Sequence, residues 1–184
     1  MPLISRFRLL LLLVLGCLGN AALAATPELD WLELMPAADR QALEEMPEIV
    51  HNSPERNGFS EQGALKQAKG LPAVMYSGKT VAALDGRQIR LSGYPVPLEN
   101  DARGHSTRFF LVPYPGACIH VPPPPPNQIV LVQYPPGILL DDIYTPLQVE
   151  GTLAIQPVHN SLADAAYVLQ ARQLQVLSEA LEPD

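Results

Sequence analysis

Thr80-Val81-Ala82-Ala83-Leu84-Asp85-Gly86-Arg87-Gln88-Ile89-Arg90-Leu91 decides the fold class. Asp-Gly supplies the positive φ angles of a tight turn, so Thr80–Leu84 and Gln88–Leu91 read as the two strands of a hairpin. The texture changes at Leu71, and the β-like runs follow it. Phe109–Val112 and Ile129–Tyr134 are short and rich in β-branched and aromatic residues. Leu147–Ile155 is another such run, with Gly151 as its expected bulge. In Tyr167–Val176 the alternation of Tyr167, Leu169 and Ala171 favours a strand, although Leu169, Leu174 and Leu177 could line a helix. About five strands with Gly and Pro punctuation, and no strand–helix alternation, predict a mainly β domain over 71–184. The expected form is a small, partly open antiparallel barrel, OB-like, with a short acidic tail.

The chain has 184 residues and 20 prolines. Working back from Leu71, residues 25–70 read as an N-terminal arm with short helices. Trp31, Leu32, Leu34 and Met35 form its apolar anchor. Pro36 suits the first turn of a helix over Ala37–Glu45, on which Asp39, Glu44 and Glu45 are expected to be exposed. Gln62–Lys69 is a second short helix, closed by Gly70.

Residues 1–24 have the form of an export signal. Arg6 and Arg8 precede the apolar run Leu9–Leu15, and Ala22-Leu23-Ala24 offers a cleavage site before Ala25. The run is shorter than the roughly 20 apolar residues of a membrane-spanning helix. Cys17 in Val14-Leu15-Gly16-Cys17 makes lipoprotein processing the second choice. The expectation is a periplasmic protein with no membrane insertion after leader removal. Losing two arginines takes the formal charge from -7 to -9, which repels nucleic acid and anionic lipid. No nucleic-acid partner is expected.

Cleavage leaves Cys118 as the single thiol of an exported chain, which suggests a ligand, a reactive group or a buried small hydrophobe. It stands two residues before His120, and Pro122–Pro126 follow. Five prolines fix φ and remove five N–H donors, so they should form a polyproline II rod of about 15 Å. In an extended segment Cys118 and His120 share a face and form half of a zinc or copper site. Structural zinc wants four ligands and catalytic zinc three plus water. The candidates to complete the set are His159, His105 and Glu99, in that order, with Asp141 and Asp142 behind them. His159 and His105 also read as solvated loop histidines, and Asp141-Asp142 as an acidic loop. His51 reads as incidental. Gly93–Glu99 reads as a proline-ended strand at a sheet edge, with Tyr94 in the core and Glu99 either solvated or a ligand.

The block Tyr114-Pro115-Gly116-Ala117-Cys118-Ile119-His120-Val121, five prolines and Asn127-Gln128 resembles the hallmark of a bacterial family of exported proteins classed as a domain of unknown function. Gly93-Tyr94-Pro95-Val96-Pro97-Leu98-Glu99, Phe109–Pro113 and Leu162–Tyr167 resemble its other recurring segments, so the likeness covers roughly 71–177. Pro115 departs from the aromatic residue that members commonly carry there. Members are often encoded beside the genes of an ABC transporter linked to zinc supply. The resemblance therefore implies a periplasmic accessory protein of metal homeostasis, with Zn(II) as its ion and a transporter permease or an associated periplasmic component as its partner. It supplies no catalytic residues.

Two other functions compete with that one. The rod could itself be a docking ledge, since polyproline loses little entropy on binding. An enzyme would use Cys118 as nucleophile and His120 as base, but residues two apart on a strand meet poorly for proton transfer. No dithiol, nucleophile-elbow or phosphate-loop motif accompanies them. The expectation is a binding protein, not an enzyme.

Overall fold

The computed structural model describes residues 26–46, 72–117, 124–140 and 142–177. Five strands carry the fold: β1 (Gln88–Asn100), β2 (Ser106–Val112), β3 (Val130–Ile138), β4 (Leu147–His159) and β5 (Asp164–Val176). They close a barrel in the order β1-β2-β3-β5-β4. The mainly β, OB-like expectation holds, but the barrel is closed and mixed rather than partly open and antiparallel. Closure itself requires this. Strand directions cannot alternate all the way round a ring of five, so one neighbouring pair must be parallel. That pair is β3 and β5, in register from Val130↔Tyr167 to Gln133↔Gln170.

β1 is long enough to serve two partners. Gln88–Gly93 pairs with β4 and Tyr94–Asn100 with β2. Pro95 and Pro97 therefore fall where β4 no longer needs N–H donors from β1. Alternation puts Ile89, Leu91, Phe109, Leu111, Val130, Val132, Leu147, Val149, Leu153, Tyr167 and Leu169 into the barrel core. A second cluster holds the opposite-facing residues Phe110, Val112, Leu131 and Val168 with Ala117, Ile129, Ala163 and Ala165. Tyr94 packs against this second cluster, half-buried. With both faces covered, Phe109–Val112 of β2 and Ala165–Leu169 of β5 read as unbroken apolar runs.

The Asp85-Gly86 turn exists, with Gly86 at φ 72°, but it joins no hairpin. Ala82–Leu84 is a 3-10 turn, because both edges of β1 are already taken by β4 and β2. The turn is held by β4 instead: Gly86 N–H donates to the Leu153 carbonyl at 2.8 Å, and Ile155 N–H to Asp85 Oδ1 at 2.8 Å. The bulge at Gly151 is as expected, with the β4–β5 register slipping between Glu150 and Gly151.

In the arm, Asp30 and Glu33 form a capping box over the 3-10 turn Trp31–Leu34. Helix α1 (Ala37–Glu44) follows Pro36. Leu34 and Met35 are fully buried, and Leu34 belongs to the barrel core. Upstream, Pro27 and Leu29 hydrogen-bond both backbone groups of Arg90. Glu44 and Glu45 are exposed as expected, but Asp39 is only 4% exposed. Three polar side chains reach it from elsewhere in the chain, which makes its burial tolerable. The leader, the Gln62–Lys69 helix, His51, Asp141 and the acidic tail lie outside the described residues.

Candidate functional site

Cys118 and His120 lie outside the described residues, but both flanks of their segment are placed. Ala117 is fully buried in the second cluster, beside Val158, Leu162, Ala163 and Ala165. Pro124 and Pro125 are buried, Pro125 has polyproline II angles (φ -61°, ψ 154°), and Pro126 opens a 3-10 turn through Gln128.

The other candidates fall at opposite ends of the barrel. His159 is the last residue of β4, not part of a turn, and it pairs with Asp164 at the start of β5. Its ring is largely exposed, with Nδ1 3.1 Å from Asp164 Oδ1. A carboxylate beside an imidazole nitrogen is the kind of neighbour that metal-binding histidines use. His159 adjoins Val158, which packs in the cluster that buries Ala117, so the described flank of the Cys-x-His segment and His159 share one end. His105 and Glu99 flank the β1–β2 turn. Because β5 runs parallel to β3 and opposite to β2, that turn lies at the far end, about 20 Å away along the seven residues of β2. They cannot share an ion with His159.

His105 and Glu99 have local work of their own. Asp101 Oδ1 accepts the backbone N–H groups of Arg103 and His105 at 2.8 and 2.9 Å. The His105 N–H and the Arg103 contacts hold the Asp101 carboxyl down at about 2. Glu99 is exposed and forms an ion pair with Arg108. Asp142 accepts from Tyr144 N–H and the Thr145 hydroxyl, which makes it a turn residue. Among the described residues, no three His, Cys, Asp or Glu side chains gather as a metal group.

The polar centre that sequence reasoning missed is a clasp between arm and rod. Asp39 accepts from Ser77 Oγ at 2.5 Å, Lys79 Nζ at 3.1 Å and Asn127 Nδ2 at 3.2 Å. Asn127, fully buried, also donates Nδ2 to the Lys79 carbonyl at 3.0 Å and its N–H to the Ser77 carbonyl at 3.1 Å. Gln128 Nε2 donates to the Trp31 carbonyl at 2.5 Å. Burial pushes the Asp39 carboxyl up, but Ser77, the Lys79 ammonium and Asn127 outweigh it and hold the group below 3.8. The only advance signal was the polar pair Asn127-Gln128 directly after a run with no N–H groups of its own. A separate open cavity of about 360 Å³ is lined by Glu28, Leu29, Asp30, Trp31, Glu33 and Ser92. Its acids already have partners: Asp30 and Glu33 in the capping box, Glu28 on the Ser92 hydroxyl.

The family model described as "Protein of unknown function (DUF3299)" matches residues 31–176. The chain belongs to this family. The matched span of the DUF3299 domain begins at Trp31 and ends at Val176, so it takes in arm and barrel alike. A crystal structure of a DUF3299 family protein from Pseudomonas aeruginosa PAO1 is similar at 39% identity, with a TM-score of 0.62. The alignment covers 84% of this chain and 98% of that one. No curated protein matches the chain. Among the described residues of this DUF3299 protein, no helix is long and apolar enough to cross a membrane.

Proposed function

We propose that this DUF3299 protein is an exported, periplasmic metal-binding accessory, not an enzyme, that serves an ABC transporter of zinc supply. In this reading Cys118 and His120 bind Zn(II), and His159 supplies the next ligand with Asp164 orienting its ring. The Gly116-Ala117-Cys118-Ile119-His120-Val121 block is the working part of the family signature. A permease or associated periplasmic component receives or delivers the ion.

One observation carries the choice of third ligand. Ala117, the residue before Cys118, belongs to the same apolar cluster as Val158, Ala163 and Ala165, the residues next to the His159–Asp164 pair. His105 and Glu99 stay at the far end with Asp101 and Arg108. The docking-ledge alternative ranks second because Pro124 and Pro125 are buried, which takes much of the rod out of a partner's reach. The thiol-enzyme alternative gains no support from any described residue.

The test is metal analysis and zinc titration of the mature protein, with its thiol reduced, beside four variants. Cys118→Ser should abolish tight binding, His120→Ala and His159→Ala should weaken it, and His105→Ala should leave it unchanged. Affinity should fall with pH as the ligands take up protons. A wild-type protein that binds neither zinc nor copper at micromolar concentration overturns the reading.

A further inference from the structure

We propose that the outer edge of β5, from Leu174 to Leu177, is a self-association edge: a second copy of this chain adds its own β5 there, antiparallel across a two-fold axis. The contact uses no residue of the signature block and is independent of the metal function.

β5 pairs with β3 only from Tyr167 to Gln170, but with β4 all the way to Val176. Past Gln170 one side of β5 therefore has no ladder among the described residues. Leu177 N–H donates to the Pro146 carbonyl at 2.8 Å, which fixes the phase of the β4–β5 ladder. By antiparallel alternation Gln175 also turns its N–H and C=O toward β4, while Leu174 and Val176 turn theirs to the open side. Their side chains lie on the core face, opposite Val149 and Leu147. Those two partners are 0% and 1% exposed, yet Val176 is 46% exposed, because no described strand covers its other flank.

Elsewhere the barrel blunts its edges. Pro95 and Pro97 sit in the half of β1 that has left β4, Pro135 and Pro136 in the half of β3 that has left β5, and Pro157 near the end of β4. The arm covers the other half of β1, where Pro27 and Leu29 bond Arg90 and the Trp31 indole donates to the Ser92 carbonyl. Leu174–Leu177 has no proline, no charge and no such cover. A row of N–H and C=O groups is recognised by another strand edge with both groups intact. Among the described edges, that of β5 offers both along an uninterrupted run, which makes the occupant a second copy. Uncharged residues also let two chains of formal charge -7 meet without like charges opposite each other. A two-fold axis through Gln175 puts Leu174 opposite the partner's Val176. The pair then exchanges both backbone bonds and brings its apolar side chains together on the core face.

Sedimentation equilibrium of the mature protein tests the edge. Wild type should dimerise reversibly at concentrations up to about 100 µM, the weak class expected of a short contact. Val176→Pro removes an open-side donor from each copy and leaves the β4 ladder intact, so it should weaken the dimer at least about tenfold. Val176→Lys blunts the edge with a charge instead and should do the same should the proline variant fail to fold. In a Cys118→Ser background, Gln175→Cys should form an intermolecular disulfide under mild oxidation, since the paired Cα atoms would stand about 4.5 Å apart across the axis. Gln148→Cys, one strand further from the axis on β4, would face its counterpart at about 14 Å and should not cross-link. A wild type that stays monomeric at about 100 µM overturns the proposal and leaves the edge to a strand of another protein. A dimer that neither Val176 variant weakens overturns it as well.

Discussion

Tyr167→Phe removes one oxygen from the junction of arm, barrel and β1 approach. Tyr167 is fully buried, and its hydroxyl accepts from Val81 N–H and donates to the Leu34 carbonyl, both at 2.8 Å. Burial pushes its pKa up, with the Val81 N–H pulling partly the other way, so the phenol stays neutral and able to donate. Phenylalanine fills the same space, so no cavity forms. The cost is one buried and one half-buried backbone group left without their partner, at ~1–3 kcal/mol each, less the saving from not burying a hydroxyl. The sum is about 3 kcal/mol. For a chain of this size 1 kcal/mol moves Tm by about 2–4 °C, so calorimetry of the mature protein should show a drop of roughly 6–12 °C. Tyr144→Phe, in an exposed loop, should leave Tm unchanged. A drop under about 2 °C for Tyr167→Phe would refute the reasoning, because the hydroxyl would then not be what joins Leu34 to the barrel.

Two further outcomes follow from the geometry. In Gly151→Ala the new Cβ would fall on the Gln170 carbonyl and lie 2.9 Å from Ala171 Cα. Backbone rather than a flexible side chain must move, so urea unfolding should show a loss of about 2–4 kcal/mol; a neutral result would mean that the bulge is misplaced. The Asp39 carboxyl is held below 3.8 in the fold, so it contributes stability that is present above about pH 4 and lost as pH falls through the folded value. The urea midpoint of Asp39→Asn should therefore fall less steeply below about pH 4 than that of wild type, and parallel curves would reject the clasp's role.

The strands were legible where burial leaves a local mark. Phe109–Val112 and Tyr167–Leu169 are apolar on both faces because two clusters use them, and Gly151 stands where β4 and β5 slip register. The hairpin at Asp85-Gly86 was misread because turn chemistry reports the turn and not whether its flanks pair. Thr80–Leu84 lost to β2 and β4, strands that lie downstream in the chain. Asp39 was misread for a similar reason: an acid in the first turn of a short helix looks solvated, and its partners Ser77 and Asn127 are 38 and 88 residues away. The ligand candidates suffered most. As sequence, His159 ranks before His105, but both also read as solvated loop histidines, and only the strand order puts them at opposite ends.

That strand order also bears on where a site can be. In OB-type barrels the β2–β3 face is a customary binding platform for oligonucleotides and oligosaccharides. Here the outward residues of that face, Phe110, Val112 and Leu131, are 0–1% exposed and packed in the second cluster. A ligand on this face would have to displace a packed apolar layer, and the formal charge of -7 opposes a polyanion in any case. The barrel interior is filled by the first cluster, and the far rim is occupied by the Asp101 turn and the Glu99–Arg108 pair. What remains is the end where β2 leaves, β3 begins and β4 turns into β5. Asn127 and Gln128 are consumed by the clasp, as buried donors that hold the arm. Ala117, the residue before Cys118, is buried in the apolar cluster that also holds Val158, the neighbour of His159.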